Sequence, residues 1–255
     1  TGTYNSAMGT MALGSNQSGL FNSAFGYSSA FLNTSGSGNV SLGANAQYNN
    51  TSGENNTAAG LRAMFSNTTG KSNVAIGQRA LYSNTDRSYL VAVGDSALYF
   101  NGTNVTQPTH ATENTAVGSK ALYANTNGFS NTAIGYQSLN KNTTGYQNTA
   151  TGAKSLYSNI SGIANTASGA CALYSNSTGI YNTATGFKAL YSNDIGSYNT
   201  ATGDSCMLSN TSGSNNTAMG VNALKSNLIG GNNVAIGYRA LHSLNNYANT
   251  AVGSY

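Results

Sequence analysis

Small apolar and small polar residues recur along this chain with a period of 17. The pentad Asn-Thr-Ala-x-Gly, or a close variant of it, begins at residues 5, 22, 39, 56, 73, 90, 114, 131, 148, 165, 182, 199, 216, 233 and 249. Two intervals depart from 17: one of 24 between Leu90 and Asn114, which is an insertion of seven, and one of 16 between Asn233 and Asn249. The unit reads N-T-A-I-G-x-x-A-L-Y-S-N-T-x-G-x-x, with positions numbered one to seventeen, and fifteen such units span residues 1–255 as a single repeat domain. Seventeen residues are too few for a helical hairpin repeat, whereas two short strands and two turns fit them. Gly, Asn, Ser and Thr are also poor interior helix residues. The pattern therefore predicts an all-β chain, a parallel β-solenoid of fifteen coils with strand one in the pentad and strand two in Ala-Leu-Tyr. Turns are expected near positions six to seven and eleven to sixteen. At ~4.8 Å per stacked strand the coils would make a rod of roughly 70 Å.

Alternation along a strand assigns the faces. Position three is Ala everywhere except Ser41, so it is expected inside, opposite a position nine that is mostly Leu with Met64 and Met207 as substitutes. Ala30 and Gln47 break the position-nine rule, and the first three coils are expected to be loosest in register. Position five is Gly in all fifteen coils, implying a backbone angle or a close approach that forbids a Cβ. Asn at positions one and twelve is expected to form hydrogen-bonded ladders from coil to coil. Periodic N-x-Ser/Thr sequons, such as those at Asn67 and Asn142, follow from that repeat and read as scaffold rather than glycan acceptors.

Position four then points outward: Met8, Phe25, Leu42, Ala59, Ile76, Val93, Val117, Ile134, Thr151, Ser168, Thr185, Thr202, Met219, Ile236 and Val252. Ten of these are apolar and larger than Ala, a stripe that calls for a partner. The residues expected to carry self-association are Val93, Val117, Ile134, Thr151, Thr185, Thr202, Met219 and Ile236.

The pentads at Asn73 to Gly77, Asn131 to Gly135 and Asn233 to Gly237 resemble the head repeats of YadA-type trimeric autotransporter adhesins. The Ala-Leu-Tyr-Ser-Asn-Thr-x-Gly segment resembles repeats of phage, viral and bacterial tail-fibre-like proteins. The resemblance covers the chain end to end, although the adhesin heads have shorter coils. It implies a left-handed parallel β-roll, three chains about a common axis and attachment to a surface.

Composition narrows the chemistry. Only 6% of the residues are charged, against roughly 25% in ordinary globular proteins, which argues against a conventional enzyme surface. The net charge of +4 comes from bases and acids scattered singly, too dilute for a phosphate-binding track, so no nucleic-acid partner is expected. No apolar run approaches ~18 residues, so no membrane insertion is expected in this segment. His110 and His242 lie far apart in the coil map, and the six acids (Glu54, Asp86, Asp95, Glu113, Asp194, Asp204) form no same-position pairs in adjacent coils. His110 with Glu113 would make only half a metal site. No catalytic residues, metal site or cofactor are expected. Cys171 and Cys206 lie two coils apart, beyond disulfide reach. Six bases (Arg62, Arg79, Lys120, Lys154, Lys188, Arg239) share position seven and form a sparse basic edge.

These readings converge on a non-enzymatic, extracellular fibre or adhesin segment of a cell surface or virion. It would be homotrimeric, with a glycan or protein surface as its further partner. The insertion at about 101–113, with Gly102, Thr106, Pro108, His110 and Glu113, is the candidate contact loop. A second expectation is ice binding by Thr149-Ala-Thr151, Thr183-Ala-Thr185 and Thr200-Ala-Thr202. A third follows from a chain that begins and ends in mid-coil: a window of a longer fibre protein, or a subunit whose open ends stack into a filament.

Overall fold

The computed structural model describes residues 2–103, 105 and 107–254, and among these it contains fifteen three-residue strands and no helix. The chain comprises two compact units, residues 1–130 and 131–255. The first holds β1 (Ser6–Met8), β2 (Ser23–Phe25), β3 (Val40–Leu42), β4 (Thr57–Ala59), β5 (Val74–Ile76), β6 (Val91–Val93) and β7 (Thr115–Val117). The second holds β8 (Thr132–Ile134), β9 (Thr149–Thr151), β10 (Thr166–Ser168), β11 (Thr183–Thr185), β12 (Thr200–Thr202), β13 (Thr217–Met219), β14 (Val234–Ile236) and β15 (Thr250–Val252). Within each unit, successive strands pair in parallel and in register, Ala92 on Ala116 and Ala167 on Ala184 for example. The fold is the parallel β-solenoid that the repeat predicts. Register survives the insertion, since Val91 pairs with Thr115. It also survives the early exceptions, where Ala24 pairs with Ser41 and Ser41 with Ala58, so the first coils are not looser in register than the others.

Among the described residues, strand two is absent. Positions six to eleven form a continuous turn, with left-handed backbone at positions seven and nine, as at Lys154 (φ 55) and Leu156 (φ 49). The reason lies in what must be buried. Positions eight and nine are neighbours and both face the core, as do Ala121 and Leu122, whereas a strand would send them to opposite faces. Curling the backbone brings both inside, against the ordinary steric preference of L-residues. Coil-to-coil hydrogen bonds offset that cost. Lys154 N–H donates to Tyr136 O at 2.8 Å, Leu156 N–H to Ala172 O at 2.9 Å and Ser158 N–H to Tyr174 O at 2.9 Å.

The core is thin and half polar. Away from the first and last coils, position three Ala and position nine Leu are buried together with both Asn rows. In the second unit, the position-twelve amides form one chain, Nδ2 of Asn159, Asn176, Asn193, Asn210 and Asn227 each donating to Oδ1 of the Asn one coil before at 2.7 to 2.9 Å. The second amide hydrogen goes to the position-fifteen carbonyl of the same coil, as from Asn176 to Gly179 O at 3.0 Å. Position-one Asn acts differently. Asn165 Oδ1 accepts the backbone N–H of Asn182 at 2.9 Å, while Asn165 Nδ2 donates to Gly179 O at 2.8 Å. Buried turn groups that β-pairing leaves open are thereby satisfied. Gly135 (φ +133) shows why position five admits no side chain: a Cβ there would stand 2.6 Å from Gly152 O.

Replacing Asn176 by Ala removes both donated bonds and strands the Asn193 amide that points at its oxygen. The expected cost is roughly 1–3 kcal/mol. Thr178→Ala, at an exposed turn position in the same coil, should stay within about 0.5 kcal/mol. Urea unfolding of the two variants checks the contrast.

Candidate self-association face

From β2 to β14 each strand buries its middle residue and turns positions two and four outward, a direct consequence of pleating, while the middle residues of β1 and β15 are not buried. In the first unit, Met8, Phe25, Leu42 and Ile76 are exposed on this row, and Val93 and Val117 are half-buried. In the second, Ile134, Thr151, Thr185, Met219 and Ile236 are exposed, with Thr202 half-buried. All eight residues expected to mediate self-association therefore sit on outward strand positions.

A second apolar row escaped the sequence reading. Position six carries Tyr27 and Leu61 in the first unit and Tyr136, Phe187, Val221 and Tyr238 in the second, all exposed. Only glycine separates positions four and six, and Phe25 with Tyr27, Ile134 with Tyr136, Met219 with Val221 and Ile236 with Tyr238 are paired in the same coil. That pairing was visible in the repeat alignment. The middle of the second unit differs, with both outward residues of β9, β10 and β11 hydroxylic and exposed.

The turn wall holds another feature that the sequence reading missed because it assigned Ala-Leu-Tyr to a strand. Position-ten rings stack on one another. In the first unit, Phe31, Tyr48, Phe65, Tyr82, Tyr99 and Tyr123 follow at centroid spacings of 5.0 to 5.4 Å. In the second, Tyr157, Tyr174 and Tyr191 follow at 5.1 and 5.0 Å. Several basic side chains lie against aromatic rings rather than standing free: Arg62 over Phe65 at 5.8 Å, Lys188 over Phe187 at 5.1 Å and Arg239 over Tyr238 at 5.3 Å.

The insertion is tied to its own unit. Arg87 Nη1 donates to Pro108 O at 2.9 Å and to Gln107 O at 3.3 Å. His110 stacks on Phe129 at 5.9 Å, and Glu113 accepts a hydrogen bond from Ser130 Oγ at 2.9 Å. Gly102 turns the chain at φ +74, Gln107, Pro108 and Thr109 form the exposed part, and Thr106 lies outside the described residues. His110 and Glu113 are thus engaged by different neighbours. Among the described residues, no group of three His, Cys, Asp or Glu stands close enough to hold a metal ion, and no helix is long and apolar enough to cross a membrane. The sequon residues Asn67 and Asn142 are fully buried, and each donates to the carbonyl of its own turn glycine. A glycan could not reach either without unfolding the coil.

Both cysteines are free. Cys206 occupies a buried position eight, its Sγ donating to Ala218 O at 3.3 Å, and burial pushes the thiol up to about 12. An unfolded thiol ionises near ~8.5. The native state therefore retains a proton that the unfolded state releases, so this contribution to stability is whole below about pH 8.5 and is lost as pH rises toward about 12. Cys206→Ala should flatten that part of the alkaline decline in melting temperature, and native Cys206 should resist a thiol reagent at neutral pH. Against this geometry, no protein-family model matches the chain, and neither a curated protein nor a solved structure does.

Proposed function

We propose that this chain is a structural repeat module of an extracellular fibre or adhesin, at a cell surface or on a virion. In this reading, copies associate through the outward strand face into a homotrimer that presents the module to a glycan or protein surface. The observation that carries it is the double apolar row at positions four and six, where Ile134, Tyr136, Met219, Ile236 and Tyr238 stand in solvent in the single chain. Soluble monomers seldom leave such rows uncovered. Three-fold packing buries a flat face against its own copies and closes on itself, whereas an unclosed contact would polymerise. The resemblance to trimeric adhesin heads points the same way, and a low-charge surface carrying many Thr and Ser side chains suits a passive scaffold.

Sedimentation of the native protein tests the assembly. A mass three times that of the chain is expected, and Ile134→Asp or Val117→Asp should return it to one, because the introduced charges meet their symmetry copies in a desolvated contact. Circular dichroism unchanged from wild type would show that the coil itself tolerates the substitution. A native mass equal to one chain would overturn the trimer.

A second reading rests on β9, β10 and β11. Thr149, Thr151, Thr166, Ser168, Thr183 and Thr185 form an exposed hydroxyl array with every Cα in register. Such an array could order water into an ice-like layer. Thermal hysteresis and faceted ice growth at high protein concentration are the expected signs, and neither would appear if the array only faces other chains.

A further inference from the structure

The stacked tyrosines do not enter the proposed function, and their geometry has a chemistry of its own. Tyr82 and Tyr99 lie 5.0 Å apart with planes 7° from parallel, Tyr157 and Tyr174 5.1 Å apart at 5°, and Tyr174 and Tyr191 5.0 Å apart at 10°. On another row, Tyr181 and Tyr198 stack at 5.2 Å and 16°. Rings related by nearly pure translation place each ring carbon about as far from its counterpart as the centroids are apart. Because the coils repeat in register, such a translation would set the carbons ortho to the two hydroxyls opposite one another at about 5 Å. The position-ten rings are half-buried and Tyr181 and Tyr198 are exposed, so the phenols are open to a small oxidant.

From this geometry we infer that the stacked tyrosine pairs are sites of oxidative cross-linking, at which neighbouring coils become joined by dityrosine. The oxidant is a peroxide acting through a haem peroxidase. One electron leaves each phenol and each hydroxyl proton passes to solvent, giving two phenoxyl radicals with spin on oxygen and on the ortho carbons. Those carbons join in a new C–C bond. The hydrogen each carried moves to oxygen and restores both phenols, while one peroxide is reduced to two waters per bond made. The product ties residues 17 apart, Tyr82 to Tyr99 for instance. A short loop closed in the unfolded chain limits its freedom much as a disulfide does, so the oxidised protein should melt at higher temperature.

The repeat supplies its own control. Tyr48 stacks between Phe31 and Phe65, which have no hydroxyl and form no phenoxyl radical, so Tyr48 should remain uncoupled in its ladder.

The test treats dilute native protein with hydrogen peroxide and a haem peroxidase, then reads dityrosine fluorescence from the band at single-chain mass and maps the joined peptides by mass spectrometry. Cross-links joining Tyr82 to Tyr99, Tyr174 to Tyr157 or Tyr191, and Tyr181 to Tyr198 are expected, with Tyr48 intact. The triple variant Tyr99→Phe, Tyr174→Phe, Tyr181→Phe keeps every ring of these stacks but breaks each of the pairs, altering three of 17 tyrosines. It should lose the single-chain emission. Emission that persisted in the folded variant would overturn the inference. So would peptides joining unstacked tyrosines, bonds found only between chains, or no dityrosine in wild type while free tyrosine couples in the same mixture. The peptide map of wild-type protein decides the matter even if the variant folds poorly, and protein oxidised in urea should lose the pair selectivity.

Discussion

In-register stacking is the constraint on which everything else rests: each side chain must tolerate a copy of itself one coil away, at about the spacing of neighbouring strands. Few side chains do so when buried. An Asn amide carries donors and an acceptor, so a column of Asn can bond to itself, and Asn159, Asn176 and Asn193 do so in successive coils. Aromatic rings stack at nearly the same interval. Like charges do so only at a cost, since two of them ~4 Å apart repel by roughly 1 kcal/mol even in water and by more near a protein surface; Arg62 and Arg79, at position seven of successive coils, are one such neighbouring pair. In the second unit, Lys154 and Lys188 at position seven are separated by Cys171, and Ser205 and Asn222 precede Arg239. The low charge content therefore follows in part from the architecture itself.

The same constraint explains how a chain with so little bulk holds a core. Ala at positions three and eight lets the walls approach, Leu at nine fills the remaining width, and the two Asn columns replace apolar area with satisfied hydrogen bonds. Departures come in groups. Where Ala30 replaces the usual Leu, the next coil carries Ser41 and a fully buried Gln47, whose Nε2 donates to Val40 O at 3.3 Å, and Ser29 Oγ donates to Ser41 O at 2.8 Å. Ser41 Oγ and Gln47 Oε1 have no partner, so this coil carries a polar core at some cost. At the insertion the position-twelve column also adjusts: Asn101 Nδ2 turns to Ala111 O, leaving Asn84 Oδ1 without a donor.

Surface properties divide along the coil. The strand face offers a flat row whose character changes from apolar to hydroxylic and back within the second unit, while the turn wall offers stacked rings with cations beside some of them. A face of the first kind suits contact with another flat surface. Rings of the second kind have their faces covered by one another and present edges and hydroxyls, which suits chemistry at the phenol more than stacking of a ligand.

Much of this was determined by the sequence alone, because a strict repeat turns one chain into its own alignment. Period, parallel strand, buried Ala, forbidden Cβ at position five and both Asn ladders were legible for that reason: a position that must meet its own copy admits few residue types. The outward row at position four was legible too, through simple alternation. What only the tertiary structure decided lies where alternation fails. Ala-Leu-Tyr is not a strand, because its first two residues both enter the core and the backbone must pass through left-handed conformations to place them there. That curl throws the third residue onto the turn wall, where Tyr174 meets Tyr157 on one side and Tyr191 on the other. Propensity and period carry no term for such a backbone, so the aromatic stack became visible only when the coils were laid one upon another.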